Sequence, residues 1–117
     1  MQKPSLIISF KNAFKGLLVI TMTERNFQLE LFAFCINIFL IFYLRLTKID
    51  AILIFIICIL VLIFEIFNTA IEKICDFIQP NYDKKIGFIK DICAGAVTLM
   101  AFCSVIVGII IYWKYIF

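Results

Sequence analysis

A run of 21 residues, 92–112, contains no charged side chain. As a helix rising about 1.5 Å per residue it covers roughly 30 Å, the thickness of a bilayer's hydrocarbon core. Two further apolar runs precede it, one between Glu30 and Arg45 and one over 51–71, the latter interrupted by Glu65, Asn68 and Thr69. The second is long enough to span only with Glu65 and Asn68 inside the membrane, and the first only if it starts near Phe27. The runs are continuous rather than alternating, which excludes the strands of a membrane barrel. Composition points the same way, with 65% of the 117 residues hydrophobic and 16% charged. A domain this small leaves about a third of its unfolded-chain surface exposed, so that excess cannot all be buried. A soluble monomer and a disordered chain are both excluded. The length allows one domain, 1–117, and the class is an all-α membrane protein with spans over about 27–45, 50–72 and 91–112.

Residues 5–23 predict a helix of a different kind. Leu6, Ile7, Phe10, Ala13, Phe14, Leu17 and Leu18 share one arc, Lys11, Asn12, Lys15 and Gly16 the opposite one, behind a Pro4-Ser5 start signal. A basic amphipathic helix of this sort lies in the membrane interface. With three spans, eight Lys and Arg (Lys3, Lys11, Lys15, Arg25, Lys73, Lys84, Lys85 and Lys90) fall on one side and three (Arg45, Lys48 and Lys114) on the other. That bias places the N-terminus and the 73–91 loop in the cytoplasm. The first eleven residues hold five apolar positions before Lys11, short of a signal-peptide core, so the N-terminus is expected to stay uncleaved. The net charge of +3 is too weak to argue for nucleic acid. There is no histidine to serve as general base or metal ligand, and the five cysteines form no CxxC pair. They read as small apolar residues.

The polar residues that lipid disfavours carry the functional signal. An acid at mid-bilayer costs about 2.5–3.5 kcal/mol on insertion scales, and its default reading is functional. Glu65, Thr69, Glu72 and Asp76 are spaced by 4, 3 and 4, one face of a helix, with Asn68 beside them. Glu65 falls inside the cytoplasmic edge of the membrane and Glu72 at headgroup level, roughly 10 Å further along. Two groups so separated are expected to have different roles. The third span opens with Lys90-Asp91 and continues with a small-residue stripe of Ala94, Thr98, Ala101, Val105 and Gly108, so both charged residues are expected to face the bundle, where Lys90 suits phosphate oxygens. Around Glu65 the expected lipid-facing set is Phe64, Ile66, Phe67, Cys93 and Val97; Asn37 and the Lys48–Asp50 turn read as structural. No GxxxxGK[ST], GxGxxG, HxD loop or GxSxG is present, so phosphate chemistry would rest on carboxylate-held metal and Lys90.

The segments FEIFNTAIEKICDF and NYDKKIGFIKDICAGAV, with SFKNAFKG and TERNFQLE upstream, resemble the prokaryotic diacylglycerol kinase and undecaprenol kinase family over nearly the whole chain. The resemblance implies a homotrimer of three-span subunits in the bacterial cytoplasmic (inner) membrane with shared active sites, ATP with Mg²⁺ as phosphoryl donor, and a lipid alcohol as acceptor. Glu65 matches the family's catalytic base and substrate contact, and Asn68 the amide beside it. Glu24, on the apolar arc of the surface helix, and Glu72 match the metal- and nucleotide-binding carboxylates. Lys90, Asp91 and Tyr82 match nucleotide contacts, with Asn81 and Asp83 in the same stretch. Asn12 stands where many members have an aromatic, a departure at the nucleotide contact from the surface helix. ICAGAV looks more like undecaprenol-using members than diacylglycerol-using ones, which sets undecaprenol before diacylglycerol as acceptor. A small transporter or channel subunit with Glu65 as proton site leaves Lys90, Asp91 and Glu24 without work; a catalytically inactive assembly protein is the third reading.

Overall fold

A computed structural model describes residues 5–117; Pro4 of the start signal and Lys3 of the cytoplasmic charge set lie outside the described residues. The elements are α1 (Leu6–Thr23), α2 (Arg25–Tyr43), α3 (Lys48–Ile78) and α4 (Lys84–Ile116), with no strand among the described residues. All four helices are long and apolar enough to cross a membrane, and the protein is an all-helical membrane protein.

The Ser5 hydroxyl caps α1 by accepting the Ile8 N–H at 3.3 Å. The helix ends without Pro or Gly. The Thr21 and Thr23 hydroxyls donate back to the Leu17 and Val19 carbonyls, each at 2.7 Å, a pattern that bends helices. The Gln28 amide donates to the Thr21 carbonyl at 3.0 Å and holds the corner. Glu24 sits in it with extended backbone, φ −103° and ψ 112°. It is the hinge between α1 and α2, which corrects its expected place on the α1 arc.

Helix α2 stops at Tyr43, two residues before the expected end of the first span. Arg45 turns left-handed at φ 54°; its N–H meets the Phe42 carbonyl at 3.3 Å, and the Leu46 N–H meets that of Ile41 at 3.1 Å. These paired bonds are a Schellman stop. Thr47 then caps α3, its hydroxyl accepting the Asp50 N–H at 3.3 Å. Helices α3 and α4 both overrun the expected spans, 50–72 and 91–112, because nothing breaks α3 before Pro80 and Asp83 already caps α4.

Ion pairs fix the α3–α4 register at both ends. Asp76 meets Lys90 at one, and Asp50 meets Lys114 at 3.0 Å at the other. The helices run antiparallel, and counting from either pair sets Glu65 level with 99–101. The inward side of α4 carries Lys90, Cys93, Val97, Met100, Ser104 and Ile111. Of the small-residue stripe expected to face the bundle, Ala101 and Gly108 are half-buried beside this side, while Ala94, Thr98 and Val105 are exposed on the single chain. Cys93 and Val97 accordingly sit level with Lys73 and Thr69 rather than with Glu65.

The buried core is small: Phe27, Ile54, Val61, Leu62, Cys75 and Ile111. Most large apolar side chains face outward, as suits a lipid solvent. On α1, Phe10, Phe14 and Leu18 are exposed, while Asn12, Lys15 and Gly16 line a groove against α3. All five cysteines are free thiols.

Candidate functional site

Helix α3 carries the polar column that the spacing predicted. Glu65 is 5% exposed, Asn68 7% and Thr69 4%. Glu72, one turn above Asn68, is half-buried, and its Oε1 accepts the Asn68 amide at 3.2 Å. Asn68 thus faces Glu72 with its donor and leaves its Oδ1 buried without a partner. A buried unpaired acceptor costs about 1–3 kcal/mol, so this column holds hydrogen-bonding capacity that the single chain does not use.

The hinge brings Glu24 to the Lys73 end of the column, where its Oε1 lies 3.2 Å from the Lys73 ammonium. Glu24, from the hinge, therefore meets the α3 residue that follows Glu72. Among the described residues no group of three or more Cys, Asp and Glu could hold a metal ion alone. A Mg²⁺ site needs less, since that ion is usually held by one or two carboxylates with phosphate oxygens and water. Here the Glu24 carboxylate is paired with the Lys73 ammonium.

The α3–α4 turn builds a cleft of about 250 Å³ whose lining includes Asp76, Asn81, Tyr82, Asp83, Lys90 and Asp91. Every residue expected at the nucleotide from this stretch is here, though not all are free to act. The Asp83 carboxylate accepts the Lys85 and Ile86 N–H groups at 2.9 and 3.1 Å as the α4 cap. Asp91 is exposed rather than turned into the bundle, one residue round from the inward side. Lys90 does point inward and is hydrogen-bonded to Asp76, which holds its ammonium above the usual lysine range. The Tyr82 ring is 91% exposed.

On the other side of the column, α1 and α3 enclose a groove of about 610 Å³. Leu17, Ile20, Ile66 and Ala70 form apolar wall, while Lys15 and Lys73 add charge. Asn12 lines this groove and not the cleft.

One acid escaped the sequence reading. Glu30, taken only as the border of an apolar run, is half-buried on α2 with its Oε2 wholly enclosed and unpartnered. The signal that could have found it is its position inside the expected span. At the far end, Asn37 accepts the Tyr112 hydroxyl at 2.7 Å, and Asp50 accepts the Tyr115 hydroxyl at 2.6 Å, consistent with their structural reading.

Residues 11–112 match the family described as prokaryotic diacylglycerol kinase. A diacylglycerol kinase of Synechocystis sp. is 35% identical over 106 residues, 90% of this chain and 61% of the relative, so the chain spans somewhat less than two thirds of that protein. An undecaprenol kinase of Bacillus subtilis is 35% identical over 104 residues, 89% of this chain and 85% of the relative. A diacylglycerol kinase of Haemophilus influenzae is 37% identical over 105 residues, 90% and 86% of the two chains. The chain belongs to the prokaryotic diacylglycerol kinase family, a family of lipid kinases.

Proposed function

We propose that this protein transfers the γ-phosphoryl group of ATP to the hydroxyl of a membrane lipid alcohol, undecaprenol first and diacylglycerol second. The observation that carries the reading is the continuous polar column on α3, which joins two different hollows. At its cytoplasmic end is the charged cleft with Lys90, suited to a nucleotide; beside its middle is the mostly apolar groove under α1, suited to a lipid tail. Glu65, buried at the membrane end of the column, is the general base for the acceptor hydroxyl, and Asn68 orients it. Lys90, Asp91 and Tyr82 contact the nucleotide, and Asp83 does so only through the turn that it caps. Glu24 and Glu72 hold Mg²⁺, which when bound supplies charge neutralisation at the phosphates. Phosphoryl transfer asks mainly for positioning and charge, which this small residue set can provide.

The same reading has α1 lying in the cytoplasmic interface, its apolar arc toward lipid and its polar arc toward the groove. The three spans are the membrane-embedded parts of α2, α3 and α4. The N-terminus and the active site then face the cytoplasm, and the working unit is a homotrimer with sites between subunits.

Undecaprenol presents one primary hydroxyl on an apolar tail, which the Ile66 and Ala70 side of the groove accommodates. Diacylglycerol adds two ester carbonyls that need donors, and Lys15, Thr69 and Lys73 along the groove keep it as the second reading. The test compares the two lipids side by side in mixed micelles with labelled ATP. Prenol phosphorylation is expected to have the higher kcat/KM. A clear preference for diacylglycerol reverses the acceptor assignment, and no transfer to either lipid overturns the kinase reading.

A further inference from the structure

The outward face at the start of α4 carries two lysines that no acid answers. Lys84, Lys85, Phe88, Ile89 and Ile92 lie within an arc of about 140° around the helix, and all five are exposed. The ion pairs among the described residues use Lys73, Lys90 and Lys114 instead. Asp83, next to Lys84, turns its carboxylate to the Lys85 and Ile86 N–H groups. A hollow of about 830 Å³ on this face has a lining that includes Tyr82, Lys84, Lys85, Phe88, Ile89 and Asp91. Asp91 is in ion-pair contact with neither lysine, and two lysines against one aspartate leave the lining positive.

Depth decides what such a face suits. The charge-free run that begins at Ile92 is the part of α4 made for hydrocarbon. At about 1.5 Å per residue, Phe88 and Ile89 stand roughly 4–6 Å outside it, and Lys84 and Lys85 roughly 10–12 Å. The headgroup layer is about 5–7 Å thick on each side, so the two apolar side chains fall within it and the lysine stems reach its outer edge. Apolar first and cationic further out is the complement of an anionic lipid, with its glycerol below and its phosphate above. A zwitterionic lipid brings its own ammonium and offers the lysines no net charge. A soluble anion offers Phe88 and Ile89 nothing.

Tyr82 joins this face to the cleft on the other side, because it lines both hollows. A methyl group at Gly87 would stand 3.7 Å from the Tyr82 ring, which therefore rests beside the α4 backbone there and is otherwise open to its surroundings. We propose that the outward face of the α4 start binds an anionic membrane phospholipid, whose phosphate meets Lys84 and Lys85 and whose glycerol and upper chain lie along Phe88 and Ile89. The bound lipid covers the open side of the Tyr82 ring and braces it against Gly87, beside the cleft that holds Lys90. Only this brace rests on reading the cleft as the nucleotide site; the lipid site does not.

The first test needs no turnover. Native mass spectrometry counts the lipids retained by the full chain on release from micelles that hold phosphatidylglycerol and phosphatidylcholine of equal chain length in equal amounts. A lysine near an anionic surface contributes about fivefold in affinity, so wild type is expected to retain phosphatidylglycerol about tenfold better or more. The preference should be lost in Lys84→Gln/Lys85→Gln, kept in Lys84→Arg/Lys85→Arg, and unchanged in Lys48→Gln at the far end of the bundle. No preference in wild type, or equal loss in Lys48→Gln, overturns the site whether or not the protein is a kinase. Displacement of the lipid by inorganic phosphate would make this a site for the free anion, and displacement by ATP a part of the nucleotide site; either overturns the lipid assignment. The brace is tested in nanodiscs, where exchanging phosphatidylcholine for phosphatidylglycerol is expected to lower KM for ATP in wild type, relative to Lys84→Gln/Lys85→Gln, by about fivefold, the low end of coupling between sites, with kcat unchanged. The same lipid dependence in both proteins overturns the brace.

Discussion

Replacing Glu65 by Gln should move stability and activity in opposite directions. Glu65 is 5% exposed in a helix long and apolar enough to cross a membrane, and its carboxyl group has no hydrogen bond among the described residues. Burying an acid at such a depth costs about 2.5–3.5 kcal/mol on insertion scales. An unpaired amide costs about 1–3 kcal/mol on the evidence of protein mutations. The difference makes Glu65→Gln neutral to roughly 2 kcal/mol more stable. The amide cannot take the acceptor's proton, and a positioned base contributes about 10²–10⁴-fold to rate. At 1.36 kcal/mol per factor of ten, that is about 2.7–5.5 kcal/mol of barrier. The assay pairs an unfolding midpoint in detergent with transfer of labelled phosphate to lipid, on one preparation. A midpoint equal to or above wild type, with turnover reduced at least about a hundredfold, is expected. Wild-type turnover in a well-folded Glu65→Gln protein would falsify the base assignment, and loss of fold along with activity would make Glu65 structural.

Three further perturbations probe the rest of the molecule. Glu24→Ala and Glu72→Ala should each raise the Mg²⁺ concentration needed for half-maximal rate, and the double variant should be no worse than roughly the poorer single, as groups acting on one ion are not additive; multiplicative losses at unchanged Mg²⁺ dependence would separate the two. Tyr115→Phe removes a 2.6 Å bond to Asp50 and a 3.0 Å bond from the Thr47 N–H, and should lower unfolding stability by about 1.5–3 kcal/mol without changing kcat of the folded protein; an unchanged midpoint removes this cluster as a clamp. Lys90 has a folded pKa raised above its ordinary value of 10.5, so its pairing with Asp76 is fully present below that value and lost as pH rises through the folded one. The midpoint difference between wild type and Asp76→Asn should accordingly stay constant over about pH 7–9 and shrink only above about 10.5; a difference that fades between pH 7 and 9 would show that the ion pair does not set it.

Much of this architecture was readable from the chain because lipid enforces contrast. A charge inside a 20-residue apolar run is costly enough to need a reason, so Glu65 and Asn68 stood out, and the 4-3-4 spacing placed Glu72 and Asp76 on their side. Glu30 escaped the same logic. It was passed over as the border of an apolar run although the expected span, from about Phe27, already enclosed it; the helix begins at Arg25, five residues before it. The hinge escaped because threonine back-bonding and a glutamine side chain make the corner, with neither Pro nor Gly to announce it. Glu24 was therefore expected on a helical arc, when its value lies in being the one extended residue between two helices.

The inward side of α4 was hidden for a deeper reason. A helix that is apolar all round has no periodic contrast, so several stripes fit it equally well and small size becomes the tie-breaker. The structure breaks the tie with charge instead. Asp76 with Lys90 and Asp50 with Lys114 sit at opposite ends of the α3–α4 pair, and between them α4 carries 21 residues, 92–112, without a charge. Rotating α4 by one residue, about 100°, would bring the Ala94–Thr98–Val105 stripe inward and carry Lys90 away from Asp76. The Ala94, Thr98 and Val105 part of the stripe thus stays outward on the single chain while Ala101 and Gly108 remain half-buried, and Lys90 is held beside the polar column by Asp76.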